Sequence, residues 1–148
     1  MAGCVFCRIA AGESPASIVY EDAECMAFMD LYPIRPGHLL VIPRRHAVQL
    51  GELAAPEQAH LFAVAMRLLA AQRASGLGVA ANVLVNDGPE AGQHVAHVHV
   101  HLIPRARHDG VGAMGAFLSR VAHFARRSGS RAALDAMAAR IRAHLPQT

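Results

Sequence analysis

Three histidines at alternate positions, His97-Val98-His99-Val100-His101, sit in an apolar run that closes with Leu102-Ile103-Pro104. An extended chain sends residues i, i+2 and i+4 to one face, about 6.6 Å apart, so this spacing predicts three imidazoles on one surface. Val98, Val100 and Leu102 then face the other way, whereas a helix would carry His99 to the opposite side. The β-branched valines and the terminal proline favour a strand that stops at a turn. With an ordinary pKa of about 6.5, imidazole serves at neutral pH as base, nucleophile or metal ligand. The residues themselves leave three readings open: nucleophilic catalysis by one ring, metal binding by two or three of them, and a solvated polar strand face.

Directly upstream, Asn86-Asp87-Gly88-Pro89-Glu90-Ala91-Gly92-Gln93 is rich in turn formers. Gly88 and Gly92 let backbone N–H groups approach a ligand closely, and successive amides can form a concave nest for phosphate oxygens. Gln93 adds a neutral donor or acceptor. A loop of this kind beside a histidine strand suits an anion.

The elements that must position these groups are short. Strand-like runs fall at about Ser17 to Tyr20, Cys25 to Met29, His38 to Ile42, Ala81 to Val85 and His97 to Ile103, enough for one five-stranded antiparallel sheet. Between the third and fourth, Pro56 to Ser75 reads as a helix with an apolar stripe of Leu61, Val64, Ala65, Leu68 and Leu69, stopped by Gly76. Pro56 suits the first turn, but Ala55 before it is a poor N-cap, forgoing about 1 kcal/mol relative to Ser or Asp. Two more helical patterns follow, Ala113 to Arg126 and Arg131 to Leu145, the latter repeating Leu134, Met137, Ile141 and Leu145. A sheet with segregated helices is an α+β fold.

A chain of 148 residues with 53% hydrophobic content is one domain with a single core. No leader-like n-region opens it and no stretch of about 18 apolar residues occurs, so a soluble cytoplasmic protein without a membrane partner is expected. The net charge of +3 is modest and spread out, and with no Trp, two Tyr and five Phe there is little to stack on bases. Nucleic acid is therefore not an expected partner. Arg35, Arg44, Arg45, Arg105 and Arg107 flank the motifs, where small polyanions would be favoured, although each also reads as solvated surface.

Cys4-x-x-Cys7 admits a redox pair, half a zinc site or two local residues. Two thiolates and two imidazoles would complete a tetrahedral zinc site. Cys25, inside a strand, reads as a small buried hydrophobe.

The run His97 to Ile103 resembles the signature of the histidine triad (HIT) family of nucleotide-binding hydrolases and transferases, His-φ-His-φ-His-φ-φ with φ apolar. The likeness extends through Gly92-Gln93, Cys4-Val5-Phe6-Cys7, Phe28-Met29-Asp30 and Pro36-Gly37-His38-Leu39-Leu40-Val41-Ile42-Pro43, covering residues 4 to about 107 and leaving a helical C-terminal extension over about 113 to 145. It implies His99 as nucleophile, His101 as donor to a non-bridging phosphate oxygen, His97 as the first triad histidine and His38 as a fourth supporting one. It implies a purine clasp of Val5, Phe6, Ile9, Phe28 and Leu31, Asp30 on the ribose hydroxyls, and Asn86, Gly92 and Gln93 near the phosphate. In zinc-containing members the matching positions are Cys4, Cys7, His46 and His97, which implies a structural zinc. Four protein ligands leave no position for an activated water, so no catalytic metal is expected. One departure is His94, where the family often has Ser or Thr assisting the leaving group.

The leading expectation is a purine nucleotide hydrolase or nucleotidyl transferase acting at the α-phosphate, on nucleoside phosphoramidates such as adenosine 5′-phosphoramidate. Asp30 and the N-terminal cysteines look closer to the phosphoramidase and bacterial branches, whereas Asp87 to Gln93 looks closer to dinucleoside polyphosphate hydrolases. A non-catalytic nucleotide sensor and an enzyme using all three histidines on one ion are the competing readings. The expected partners are a purine ribonucleotide or dinucleotide and, by resemblance, a second copy in a homodimer.

Overall fold

Period-2 alternation governs the architecture of the chain, for which a computed structural model describes residues 3–107, 109 and 129–146. Strands β1 (Ile18–Glu21), β2 (Cys25–Met29), β3 (Leu39–Pro43), β4 (Ala80–Val85) and β5 (Val100–Arg105) form one sheet in the order β1-β2-β3-β5-β4. All four pairings are antiparallel. Helices α1 (Val5–Ala10), α2 (Ala55–Ala74) and α3 (Arg131–Arg142) complete the α+β fold. The helix expected at Ala113 to Arg126 lies outside the described residues, among which no helix is long and apolar enough to cross a membrane.

Both faces of the central strands are covered. Ala27, Met29, Leu39, Val41, Val100 and Leu102 pack against Leu61, Val64 and Leu68 of α2 and Leu134 and Ile141 of α3. Residues of opposite parity, Met26, Phe28, Leu40 and Ile42, pack with Phe6 of α1. Each of the larger apolar side chains among these, fully buried, contributes about 1.5–3 kcal/mol. Asp30, His38, His99 and His101 share the parity of the α1 face, so the sheet delivers them to one side. Gln72 bridges α2 to the sheet, its Nε2 donating to the carbonyls of Gly37 (2.8 Å) and Leu102 (3.2 Å).

Three elements depart from the sequence expectation. The last strand starts at Val100, not His97, because its ladder with β3 runs only to the Val41–Val100 pair and Pro43, two residues further along β3, has no N–H to offer. The Val98 N–H instead donates to the Ala47 carbonyl at 2.8 Å. Helix α2 begins at Ala55 with Ala54 as N-cap, which has no side chain to cap the first-turn amides, and Glu57 reaches back to accept the N–H of Ala54 itself at 2.7 Å. Helix α1 was not anticipated: six residues carry no readable period, and Cys4 at its N-cap makes no side-chain cap bond.

Candidate active site and metal centre

His99 occupies the end of the irregular segment before β5, where its Nδ1–H donates to the His97 carbonyl at 2.7 Å. That bond sets the tautomer, leaving the lone pair on Nε2. Burial pushes the His99 imidazole below its ordinary pKa, opposed by the bond to His97 and by the charge of Asp30, so the neutral form is favoured. Its ring meets Phe6 edge-on at 5.3 Å and lies 4.8 Å from the His101 ring, closer than the spacing expected of a straight strand.

His38 is fully buried and accepts the Ile34 N–H on Nδ1 at 3.2 Å. A backbone N–H can only donate, so the His38 proton sits on Nε2, 3.0 Å from His101 Nδ1. His101 then accepts on Nδ1 and carries its own proton on Nε2. Asp30 stands opposite His38 across β2 and β3, its N–H bonded to the His38 carbonyl. Its Oδ1 accepts the Tyr32 N–H at 2.8 Å, and Oδ2 lies 3.4 Å from His38 Nδ1.

These groups line a cavity of about 630 Å³. Val5, Phe6, Ile9, Phe28, Asp30 and Leu31 form one part of its wall, and Asn86, Gly92, His94, His99, His101 and His38 another. Two expected residues stand outside it. Gln93 spends its amide on the loop, accepting the Gly88 N–H at 2.9 Å and donating to the Val48 carbonyl at 2.7 Å. Positive φ angles at Gly88 (105°) and Gly92 (86°) make the tight loop that Gln93 closes.

The other residue outside the cavity wall is His97. Its Nε2–H donates to the Pro43 carbonyl at 2.9 Å, turning Nδ1 toward the N-terminal cysteines. Cys4 Sγ lies 3.5 Å and Cys7 Sγ 3.6 Å from His97 Nδ1. His46 Nδ1 is 3.2 Å from Cys7 Sγ and 3.3 Å from His97 Nδ1. A tetrahedral zinc with its usual bond lengths requires S···N near about 3.6 Å and N···N near about 3.4 Å. The four donors therefore fit an ion already, and the Pro43 carbonyl orients one ligand from behind. Phe6, between the two cysteines, touches both His97 and His99 rings, so this cluster and the cavity share a wall.

A second grouping, Asp22, Cys25 and His60, is a hydrogen-bonded turn instead. Asp22 accepts from the Tyr20 hydroxyl, from the N–H groups of Glu24 and Cys25, and from His60. Burial, reinforced by Asp22, Glu24 and Glu57, pushes the Cys25 thiol up to about 12.

Sequence reasoning missed several cavity residues, among them Ser14, Pro15, Tyr32 and Arg131. Arg131 comes from α3, far from every motif, and no local pattern marks it. Four of the five arginines that flank the motifs form ion pairs away from the cavity wall, Arg44 with Glu21, Arg45 with Glu57, and Arg35 and Arg105 with Asp109, and Arg107 is exposed and also outside that wall.

Fold and site together define a histidine-bearing antiparallel sheet with a Cys2His2 centre beside its cavity. The HIT domain model matches residues 11–108. An uncharacterized HIT-like protein of Mycobacterium tuberculosis is 44% identical over 101 residues, 68% of this chain and 70% of its own. The adenylylsulfatase HINT3 of Arabidopsis thaliana is 40% identical over 107 residues, 72% of this chain and 54% of its own. The crystal structure of a Zn-bound histidine triad family protein from Mycobacterium smegmatis superposes with a TM-score of 0.80 at 36% identity, covering 97% of this chain and 94% of that one. The chain belongs to the HIT family.

Proposed function

We propose that this protein binds a purine ribonucleotide and cleaves it at the α-phosphate through a covalent nucleotidyl-histidine on His99. The observation that carries this reading is the 2.7 Å bond from His99 Nδ1–H to the His97 carbonyl, which keeps the Nε2 lone pair for attack. Nε2 forms a bond to phosphorus as the bond to the leaving group breaks. The phosphate charge is met by His101 Nε2–H, whose proton is placed there by His38. Water then adds to phosphorus and gives up one proton to solvent, the bond from phosphorus to His99 Nε2 breaks with its electron pair returning to the ring, and the nucleoside monophosphate leaves with His99 neutral again. Asp30, at the cavity wall, accepts the ribose hydroxyls, while Phe6, Phe28, Ile9, Val5 and Leu31 hold the purine. Gly92 and Asn86 position the phosphate, and Gln93 holds their loop.

Nucleoside phosphoramidates such as adenosine 5′-phosphoramidate are the substrate class we favour, with dinucleoside polyphosphates as the alternative. His94 lies at the exposed part of the cavity wall, where a leaving group departs. The adenylylsulfatase relative supports a hydrolase over a passive sensor. Cys4, Cys7, His46 and His97 would hold a structural zinc that anchors α1, a reading supported by the Zn-bound neighbour and the donor spacing. A homodimer would pair the β4 edges: Val79 and Val83 on or beside β4, and Phe62 and Met66 on α2, are large exposed apolar side chains.

Intact-protein mass spectrometry after rapid mixing with adenosine 5′-phosphoramidate tests the reading. Adenylyl mass on the wild type, absent from His99→Ala, is the expected result. Nucleotide binding without adduct or turnover on either substrate class overturns it in favour of a sensor.

A further inference from the structure

We infer that Arg131 reads the outer edge of the bound purine and gives the site a preference for guanine over adenine, an inference that rests on the nucleotide reading above. The strand order supplies the ruler. His99 and His101 belong to β5, His38 to the start of β3, Asp30 to the end of β2, and Arg131 is fastened just ahead of β1. At about 4.8 Å per strand step, β1 stands roughly 14 Å from β5. Phosphate chemistry at β5 and ribose recognition at β2 thus leave the region beside β1 for the base.

Arg131 is the permanently charged cation among the described residues lining the cavity. Its Nη1 donates to Ser17 Oγ at 3.2 Å and its Nη2 to the Pro15 carbonyl at 3.3 Å. Ser17 in turn donates to Asp135 at 2.6 Å, so α3 is clamped with its first residue over the cavity. Those two bonds use two of five N–H groups, and a guanidinium has only donors to give. Guanine presents two acceptors on one edge, O6 and N7, whereas adenine pairs its N7 with the N6 donor, which an arginine cannot satisfy. Arg131 lies outside the matched domain, residues 11–108, so base selection is delegated to the C-terminal segment.

Calorimetric titration of the full chain with GMP and with AMP tests this. Wild type should bind GMP at least about fivefold more tightly. Arg131→Met should bring the ratio to within about twofold of unity. Arg131→Lys, which keeps a cation without the fork, should also lose most of it. Asp135→Asn, which removes a charge but keeps an oxygen acceptor for the Ser17 hydroxyl and leaves the guanidinium in place, should retain the preference, and thermal melting monitors the fold of each variant. Equal affinities in the wild type, or a loss in Arg131→Met that is the same for both nucleotides, overturns the inference, the latter pointing to a contact with a distal anion. Binding of neither nucleotide by the wild type overturns the nucleotide reading itself, whereas a guanine preference without turnover removes only the hydrolase step.

Discussion

Replacing Cys7 by Ser, or stripping metal with a chelator, should detach the N-terminal helix without unfolding the sheet. Helix α1 has six residues, and ordering their backbone costs at least about 6 kcal/mol. Its buried side chain is Phe6, whose burial contributes at most about 3 kcal/mol. The remaining about 3 kcal/mol falls to the partly buried Ile9, to the bond from Arg44 Nη1 to the Ala10 carbonyl and to the Cys4, Cys7, His46 and His97 cluster. A structural zinc held by those four residues would supply about 10–16 kcal/mol, enough to dock the segment. The hydrophobic cluster under α2 and α3 contains none of these ligands and should be untouched. Hydrogen exchange would show Arg8 and Ala11, whose N–H groups bond back to Cys4 and Cys7, losing protection while β2, β3 and β5 keep theirs. Nucleotide affinity should fall about tenfold or more as Phe6 leaves the cavity wall. If the purified protein holds no metal stoichiometrically, and exchange at Arg8 and Ala11 is identical in Cys7→Ser and wild type, the reasoning fails.

Four further outcomes are expected. His38→Ala removes the donor that places the His101 proton, so kcat should drop by roughly 100-fold with little change in nucleotide affinity; single-turnover rates decide it, and an unchanged rate removes the role of His38. Gln93→Leu leaves the Gly88 N–H and Val48 carbonyl without their partner and should cost about 1–3 kcal/mol in urea denaturation; a variant as stable as wild type contradicts the bracing role. Burial works to raise the Asp22 pKa, but the bonds from Tyr20, Cys25, Glu24 and His60 outweigh it and hold it at about 2. A carboxyl depressed on folding stabilises above its unfolded pKa near about 4 and loses that contribution as pH falls through its folded pKa, so Asp22→Asn should cost at most about 2 kcal/mol at pH 7 and progressively less as pH is lowered through about 2; a pH-independent difference would count against it. Met66→Glu should shift a dimer to monomer in light scattering, and a wild type already monomeric would remove the proposed interface.

Much of the chemistry was legible because it is written at short range. Alternating parity in His97 to His101, in Cys25 to Met29 and in His38 to Ile42 fixes which side chains share a face once a sheet exists, and the family likeness supplied the remaining roles. Parity also explains why Asp30 and His38 meet: they are opposed across β2 and β3, just past the Met29–Leu39 pair. Local patterns failed where stability comes from elsewhere. Helix α1 depends on Phe6 packing and on ligands 39 and more residues away, so no periodicity announces it.

By itself, then, the sequence determined the α+β sheet, the histidine face and the glycine-rich loop, because strand alternation and turn chemistry act between near neighbours, whereas the set of four candidate metal ligands came from the family likeness. Only the tertiary structure decided how the His97 ring is turned, Nε2 to the Pro43 carbonyl 54 positions away and Nδ1 to the cysteines, which takes it out of the cavity wall. Only it decided that Gln93 braces the loop from outside the cavity wall, because its partners Val48 and Gly88 meet through the fold. And only it brought Arg131 to the cavity, by docking α3 on β1 through Ser17 and Asp135, a contact across 118 residues that no window of sequence can contain.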